Sequence, residues 1–294
     1  MPTQRNPPNA DELLALRSLA SLVDRAGRLL AAGSGIASGG RQPQAFERRL
    51  AAEAARVGVH PLDDLLTRAE AGDPEAAQAL RGMLTVKYSR MWREPTHWPI
   101  VAERLRLRMV AGAPVRMWSA ACAHGEEAFT AAIVAGHTAF EVGEREHDWR
   151  ILATDVDADA LRAACAGRVS EDATGLLPEA LRTRYMTRSP TRWGVEWQLR
   201  PELLSRIDFE AFDLTCSHWP TPQGAPFDVI LLSNVLIYFD RPTRERILSR
   251  AAAALRPDGV ILTGRAEGGM ATPEGRLKPC GPCAYILVPE ARGH

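Results

Sequence analysis

The chain has 294 residues, enough for one large domain or two small ones. Lysine plus arginine and aspartate plus glutamate number 36 each, so the net charge is zero and no bulk attraction to nucleic acid or a membrane surface is expected. No stretch approaches the roughly 18 apolar residues of a membrane span, and the amino terminus has no apolar signal core. With five cysteines that fit free thiols, these features predict a cytoplasmic protein without membrane insertion.

The amino-terminal part of the chain is expected to be helical. Residues 1–10 are predicted to be a disordered tail. Leucines at three- and four-residue spacing begin near Ala10, a Gly/Ser-rich loop follows at 33–40, and further helical segments run to about Leu84. Together they predict a domain of about four helices at residues 11–98.

Strand-like and helix-like segments alternate from Val115 onward. This alternation predicts an α/β domain at residues 99–294, with a parallel sheet and helices on both faces. The expected strands are 115–119, 150–154, 227–233 and 260–264, and the expected helices are 126–139, 158–166 and 244–255, the last ended by Pro257-Asp-Gly. The run at 227–233 is mostly apolar, with four consecutive apolar residues at 229–232, as is typical of a central strand.

Two segments depart from this alternation. Residues 167–205 contain a helix, 178–185, and the alternating run Trp193-Gly-Val-Glu-Trp-Gln-Leu199, which predicts a small antiparallel insertion. Near the carboxyl terminus, Cys280-Gly-Pro-Cys283 has the spacing of half a zinc site or a redox motif. Because it precedes only a short terminal strand, a hairpin turn is the favoured interpretation.

A cofactor site is indicated where the first strand meets its helix. The segment Trp118-Ser-Ala-Ala-Cys-Ala-His-Gly-Glu-Glu-Ala-Phe-Thr130 forms a small-residue turn, and Asp155 ends the next strand. Such a layout lets the backbone approach a nucleotide while the acid takes the ribose hydroxyls. Glu126 and Glu127 would repel a pyrophosphate but suit a cationic ligand. A nucleoside that carries positive charge points to S-adenosylmethionine.

This turn is one of five segments that together resemble the CheR family of chemotaxis receptor methyltransferases. The other four are Met91-Trp-Arg-Glu94, Ala153-Thr-Asp-Val-Asp157, Asn234-Val-Leu-Ile-Tyr-Phe-Asp240 and Leu255-Arg-Pro-Asp-Gly-Val260. The resemblance implies a Rossmann-like class I methyltransferase sheet with an all-α amino-terminal domain and a small antiparallel β insertion. It implies methyl transfer from S-adenosylmethionine to glutamates of a chemoreceptor (a methyl-accepting chemotaxis protein) or a receptor-like signalling protein, which tunes adaptation. S-adenosylhomocysteine is the expected product.

The resemblance also implies roles for individual residues. Arg93 and Tyr238 match the two side chains beside the transferable methyl group and are the catalytic candidates. Arg93 would hold the substrate carboxylate, and Tyr238 would orient it. The expected cofactor-binding residues are Lys87, Ser89, Arg93, Ala121, Gly125, Glu127, Asp155, Asp213, Leu214, Ser233 and Asn234. Among them, Asp155 is expected at the ribose, Glu127 at the methionine ammonium group, and Asp213 with Leu214 at the adenine.

Several positions depart from the family pattern. Met91-Trp92 replaces paired phenylalanines, Ser233 replaces an arginine, His124 replaces a small hydroxyl residue, and Gly264-Arg-Ala-Glu267 replaces Gly-His-Ser-Glu.

Contact with the receptor is a separate question. On the helix expected to meet the receptor, Arg49, Glu53 and Arg56 present mixed charge, which weakens docking on an acidic coiled coil. The β insertion can bind a receptor tail by strand addition in some relatives, and the sequence leaves this open.

Alternatives remain at this stage. The departures permit a catalytically weakened or inactive module that acts through protein contacts, or a methyltransferase for a small molecule or RNA. Each candidate residue also has a purely structural explanation. Glu127 would suit a helix amino terminus, and Asp155 would suit a helix cap. Tyr238 could be a core aromatic residue, and Arg93 could be a solvated surface charge. No long heptad pattern is present, so a monomer is expected.

Overall fold

A computed structural model describes residues 21–22, 24–26, 28–29, 50, 59–73, 75–77, 80, 89–144, 146–192, 194–216, 219, 226–268 and 276–288. The chain divides between Val86 and Lys87 into two compact units. The domain limits expected from the sequence, with a boundary at residue 98, stay a prediction. Several expectations lie outside the described residues: the tail at 1–10, the loop at 33–40, the charged face at 49–56, and the side chains of Lys87 and Trp193.

Apart from the turn at residues 71–73, the described residues of the first unit are helical. Helix α1 spans Val59–Glu70, close to the helix expected from Pro61. Arg25 connects a neighbouring helical segment to α1, because its guanidinium binds Glu70 at 2.9 and 2.8 Å and also contacts Asp63. Buried apolar side chains from these segments form one small core: Leu22, Ala26, Leu50, Leu62, Leu66, Ala69, Ala76 and Leu80.

The second unit is built on a seven-stranded sheet. Its strands are β1 Val115–Ala120, β2 Trp149–Asp155, β6 Ile207–Ala211, β7 Phe227–Leu232, β8 Leu255–Thr263, β9 Leu277–Gly281 and β10 Ala284–Leu287. They lie in the order β6-β2-β1-β7-β8-β10-β9. The first five are parallel to one another, β10 pairs antiparallel with β8, and β9 pairs antiparallel with β10. The alternation seen in the sequence is thus confirmed as an α/β sheet, with an antiparallel end.

Most of the described helices of the second unit pack against this sheet. They are α2 His97–Val110, α3 Glu126–Glu141, α4 Ala158–Cys165, α5 Glu179–Tyr185, α6 Pro201–Leu204 and α7 Arg241–Ala254. Helix α3 lies against β2 and α2, and α7 lies against β8. All six residues of β7 are buried, as expected for the fourth of seven strands. No described helix is long and apolar enough to cross a membrane.

The expected insertion is confirmed as a three-stranded antiparallel sheet of order β3-β5-β4. Its strands are β3 Arg168–Ser170, β4 Met186–Thr191 and β5 Gly194–Leu199. Trp197 and Leu199 of β5 are buried, which explains the alternating pattern seen in the sequence. The terminal hairpin is also confirmed, because β9 and β10 pair antiparallel and Pro282 and Cys283 lie in the turn between them.

One boundary differs from the sequence expectation. Helix α7 begins at Arg241, where the Asp240 side chain accepts a hydrogen bond from the Thr243 N–H, and it ends at Ala254. The chain becomes extended at Leu255 and pairs with Phe227, so Pro257-Asp-Gly lies within β8 and does not terminate the helix. A register shift at this point accommodates Pro257, since a bulge is where a strand tolerates proline.

Candidate active site

The candidate site lies where the parallel strands β1, β2, β7 and β8 end. Strand ends of this kind collect ligands in open α/β sheets. The turn 121–125 follows β1, Asp155 ends β2, Ser233 and Asn234 follow β7, and Gly264 follows β8. Residues distant in the sequence therefore meet at one edge of the sheet.

The turn after β1 has an unusual backbone. Ala121, Ala123 and Gly125 have φ values of 69°, 50° and 96°, in the left-handed region that non-glycine residues rarely adopt. A Cβ atom at Gly125 would lie 2.5 Å from Cζ of Phe129, which is fully buried in α3. The turn is therefore tight and crowded at Gly125, and close approach of Ala121 and Gly125 to a cofactor stays a prediction.

Asp155 fixes this turn. Its Oδ2 accepts a hydrogen bond from the Ala123 N–H at 2.8 Å, and its Oδ1 accepts one from the Asp157 N–H at 2.9 Å. The side chain is 8% exposed. A carboxylate can accept about four hydrogen bonds, so one aspartate can both hold a turn and accept from a ligand hydroxyl.

The helix cap belongs to a different aspartate. Asp157 Oδ1 accepts hydrogen bonds from the N–H groups of Asp159 and Ala160 at the start of α4. Asp155 therefore does not cap a helix, and the simpler alternative considered for it from the sequence is wrong.

Glu127 is a half-buried carboxylate in the first turn of α3. Burial raises its pKa to about 7, and the nearby Glu267 carboxylate adds to this rise. Ser119 donates to Glu127 Oε1 at 2.7 Å and lowers the pKa, as does the positive charge of Arg93. The Ser233 hydroxyl also lowers it, although Ser233 Oγ forms no hydrogen bond of ordinary geometry with the described residues.

Glu126 is the second carboxylate in this turn of α3. It is 7% exposed, and burial raises its pKa, while His124 and the Ser89 hydroxyl lower it. Its Oε2 has no hydrogen-bond partner among the described residues. His124 is half-buried beside it and contacts no nucleophilic hydroxyl in the described hydrogen bonds.

Arg93 follows a strained residue. Trp92 has φ 60°, its N–H donates to Thr130 Oγ1 at 3.2 Å, and its ring lies 5.6 Å from that of Trp98. These contacts place the Arg93 segment beside α3. Arg93 itself is exposed and acts electrostatically on Glu127.

The loop after β7 carries Asn234 and Tyr238. Asn234 has a left-handed backbone, with φ 62°, and Tyr238 is half-buried in the short 3₁₀ turn Leu236–Tyr238. Glu267, only 1% exposed, accepts four backbone hydrogen bonds that connect this loop to the end of β8.

Asp213 and Leu214 follow β6. The Phe212 N–H donates to the Asp155 carbonyl oxygen at 2.9 Å, which draws this loop to the end of β2. Asp213 Oδ1 accepts hydrogen bonds from the N–H and hydroxyl of Thr215, at 2.8 and 2.7 Å, and Leu214 is buried. Asp213 therefore has a local structural role, and its place near the adenine stays a prediction.

Two buried glutamates were missed from the sequence. Glu94 and Glu267 both contact Asn234, although neither was expected in the site. Each ends a segment noticed in the sequence, Met91-Trp-Arg-Glu94 and Gly264-Arg-Ala-Glu267, but nothing in the local pattern indicated that the two meet.

These residues suit a cationic nucleoside. Buried acceptors without a partner among the described residues include Glu126 Oε2 and Ser233 Oγ, and Glu127 has a pKa raised by burial. A bound cation would relieve the cost of ionising such carboxylates. The Asp155 carboxylate and the close-approaching turn suit a ribose, so the donor set fits S-adenosylmethionine.

Comparisons with known proteins agree with this geometry. Residues 87–279 match the family model described as CheR methyltransferase, SAM binding domain. A chemotaxis protein methyltransferase of Klebsiella aerogenes is 33% identical over 83% of this chain and 81% of its own length. Proteins of the same description from Salmonella typhimurium and Escherichia coli are 34% and 32% identical over 74% and 65% of this chain, and over 74% and 64% of their own lengths.

The resemblance found in the sequence is thereby confirmed, together with the fold class and the cofactor. The match includes the turn 121–125, Asp155, Asn234 and Glu267, which the structure brings to one edge of the sheet. The chain belongs to the CheR methyltransferase family and is an S-adenosylmethionine-dependent methyltransferase.

Proposed function

We propose that this enzyme transfers a methyl group to glutamate side chains of a chemoreceptor or a receptor-like signalling protein, and so tunes adaptation. The observation that carries the proposal is the 33% identity, over 83% of the chain, to a relative named for chemotaxis methyl transfer. We place the reaction in the cytoplasm, where the five free thiols of the chain would remain reduced. The monomeric state expected from the sequence is part of this proposal.

The proposed chemistry needs no general base. A glutamate has a reference pKa of about 4.3, so the accepting carboxylate is already ionised at neutral pH. S-adenosylmethionine supplies a methyl group on a sulfonium sulfur, so a carboxylate oxygen forms the new C–O bond while the sulfur keeps the electron pair of the C–S bond that breaks. The residues of the chain therefore have to align the groups and exclude water.

Four residues are proposed to hold the cofactor at its two ends. Asp155 would bind the ribose hydroxyls through its carboxylate, and Asp213 with Leu214 would meet the adenine. Glu127 would bind the methionine ammonium group, whose positive charge favours the ionised carboxylate and offsets the burial that raises its pKa.

Other residues are proposed to border the same space. The backbone at Ala121 and Gly125 would pass close to the cofactor, and its left-handed conformation supports this role. Ser233 and Asn234 would contact the cofactor at the end of β7. Lys87 and Ser89, on the segment before Arg93, would complete the pocket, and Ser89 already acts on Glu126.

Arg93 and Tyr238 are proposed to act on the substrate. Arg93 is exposed yet close enough to Glu127 to lower the pKa of that carboxyl, which supports a position at the rim of the pocket. From there its guanidinium would bind the substrate carboxylate by charge-assisted hydrogen bonds. Tyr238, on the loop clamped by Glu267, would orient the same carboxylate.

The test is transfer of labelled methyl groups to a receptor. Purified enzyme, S-adenosylmethionine labelled in the methyl group, and membranes that contain a chemoreceptor are incubated together, and the receptor is isolated. We expect incorporation that alkali releases as methanol, because carboxyl methyl esters are base-labile whereas methylated nitrogen is not.

A receptor with its accepting glutamates replaced by alanine is the matched control, and it should take up no label. Two results would overturn the proposal. The first is label that resists alkali. The second is no label on any receptor tested, although the enzyme binds S-adenosylhomocysteine. The second outcome would revive a non-catalytic role, which retention of Arg93, Asp155, Asn234 and Tyr238 currently disfavours.

A further inference from the structure

Asn234 is held from two sides by buried carboxylates. Its backbone N–H donates to Glu267 Oε2 at 2.8 Å, and its side-chain Nδ2 donates to Glu94 Oε1 at 3.4 Å. The residue sits at φ 62°, a conformation that costs free energy outside glycine but is tolerated best by asparagine and aspartate. Contacts on both the backbone and the side chain are therefore available to maintain it.

Glu267 connects two loops through its carboxylate alone. Oε2 accepts from the N–H groups of Asn234 and Gly264, and Oε1 accepts from those of Leu236 and Ile237. Burial raises the pKa of Glu267 to about 7, whereas these four donors lower it. If one carboxyl oxygen were protonated, its O–H group would face backbone N–H groups, and two donors cannot form a hydrogen bond with each other. The clamp therefore requires the carboxylate form.

Glu94 contacts the same loops from the segment before α2. Its Oε1 also accepts from the Arg265 N–H at 3.2 Å, and the side chain is 6% exposed. A Cβ atom at Gly264 would lie 2.6 Å from Asn234 Nδ2, so glycine is what allows the Asn234 amide to pass toward Glu94. Three chain segments thus converge on one asparagine side chain.

We propose that Glu94 and Glu267 are positioning residues for methyl transfer, which together hold Asn234 and thereby fix the loop from Ser233 to Tyr238. Their action is indirect: Glu267 acts through backbone N–H groups, and Glu94 acts through the Asn234 amide. The inference rests on the proposed function only in assigning Asn234 to the cofactor and Tyr238 to the substrate.

The two carboxylates have different expected effects. Loss of the Glu267 clamp frees the backbone on which both Asn234 and Tyr238 sit, so binding and turnover should both fall. Loss of Glu94 frees the Asn234 amide and the Arg265 N–H but leaves the Glu267 clamp in place, so the main effect should be on cofactor affinity. This difference separates a positioning role from general support of the fold.

A double-mutant cycle tests the role of Glu94. Glu94→Ala, Asn234→Gly and the double variant are titrated with S-adenosylhomocysteine by calorimetry; glycine keeps the left-handed backbone while removing the amide. Each single variant should bind about tenfold more weakly, the scale of a hydrogen bond to a charged group. The double variant should bind no more weakly than Asn234→Gly, because the proposed effect of Glu94 on the cofactor passes through the Asn234 amide and not through its other contact, the Arg265 N–H. Additive losses, or wild-type affinity in Glu94→Ala, would refute the role.

Glu267→Gln tests the clamp. The amide keeps the size of the side chain but directs an NH₂ group at backbone donors, so we expect S-adenosylhomocysteine affinity to fall at least tenfold and kcat to fall further. The matched control is Asp228→Asn. Asp228 is a 3% exposed carboxylate that also accepts a backbone N–H, from Arg116 at 2.8 Å, but at the opposite end of β7.

The control should lose thermal stability with unchanged cofactor affinity and kcat. If Glu267→Gln behaves like this control, Glu267 has a structural role only and the proposal fails for it. If Glu267→Gln does not fold, the cycle on Glu94 decides. The cycle needs no methyl acceptor, so failure to methylate a receptor would refute the proposed function and leave this inference to be judged by cofactor affinity.

Discussion

Replacing Asp155 with alanine is expected to abolish measurable cofactor binding. In the folded protein the Asp155 carboxylate accepts hydrogen bonds from the Ala123 and Asp157 N–H groups, at 2.8 and 2.9 Å. Ala123 holds a left-handed conformation, with φ 50°, that costs about 1–2 kcal/mol for a residue other than glycine. Without the carboxylate, nothing charged holds the Ala123 N–H in this orientation.

The magnitude follows from the hydrogen bonds that the substitution removes. A hydrogen bond to a charged group contributes about 1.5–3 kcal/mol. The alanine variant lacks one such bond that maintains the turn, and it lacks the proposed hydrogen bond to the ribose. The combined loss is about 3–6 kcal/mol, which corresponds to roughly a hundredfold to ten-thousandfold weaker binding.

The assay is calorimetric titration with S-adenosylmethionine and S-adenosylhomocysteine. The control variant is Asp157→Ala, two residues away. Asp157 caps α4 through the N–H groups of Asp159 and Ala160, so its loss should cost about 1 kcal/mol of stability. In a unit of this size such a loss lowers the Tm by about 2–4 °C, and cofactor affinity should be unchanged.

The comparison of the two variants decides the outcome. If Asp155→Ala binds S-adenosylhomocysteine within about threefold of the wild type, the carboxylate neither maintains the turn nor meets the ribose, and the reasoning is refuted. Equally weakened cofactor binding in Asp157→Ala would show that any disturbance of the chain after β2 is sufficient to weaken cofactor binding.

Three further predictions concern other parts of the site. Arg93→Ala should bind S-adenosylhomocysteine normally but transfer no methyl group to a receptor in the labelling assay; normal transfer would show that Arg93 does not hold the substrate. Burial raises the pKa of Glu127 from 4.5 to about 7, so between these values the unfolded state releases a proton that the folded state keeps, and wild-type stability falls as pH rises. Urea unfolding at pH 5 and pH 8 should therefore show that Glu127→Gln gains stability relative to the wild type as pH increases, and a constant difference would contradict the burial argument. Gly125→Ala should lose at least about 2 kcal/mol, because its Cβ would meet Phe129 at 2.5 Å in addition to the cost of a positive φ, whereas the control Gly143→Ala, with φ 83° and nothing within 4 Å, should lose only about 1 kcal/mol in thermal unfolding.

The sheet and much of the site could be predicted from the sequence because their signals are local. The mostly apolar run Phe227–Leu232 identified a central strand, and the structure buries all six residues, including Asp228. The small-residue turn and the acid that ends the next strand indicated a nucleoside site, because the ends of neighbouring parallel strands lie at one edge. The roles of individual site residues, Arg93 and Tyr238 included, stay predictions.

Local signals were insufficient where two interpretations shared one pattern. Pro257-Asp-Gly is a common helix ending, yet it lies in β8 because Leu255 pairs with Phe227 and a bulge accommodates the proline. Asp155 and Asp157 are both suitable helix caps in the sequence. Only the direction of the chain at the end of β2 gives the cap to Asp157 and directs Asp155 at the turn.

The contacts around Asn234 were decided by the tertiary structure alone. Glu94 and Asn234 are 140 residues apart in the chain, and Glu267 lies a further 33 residues beyond Asn234. A motif reports which residues are neighbours along the chain, so it predicted the strand, the turn and the family. Which buried carboxylate receives which N–H group depends on how separate segments pack, because burial makes an unpaired polar group costly and the folded chain must bring a partner to it.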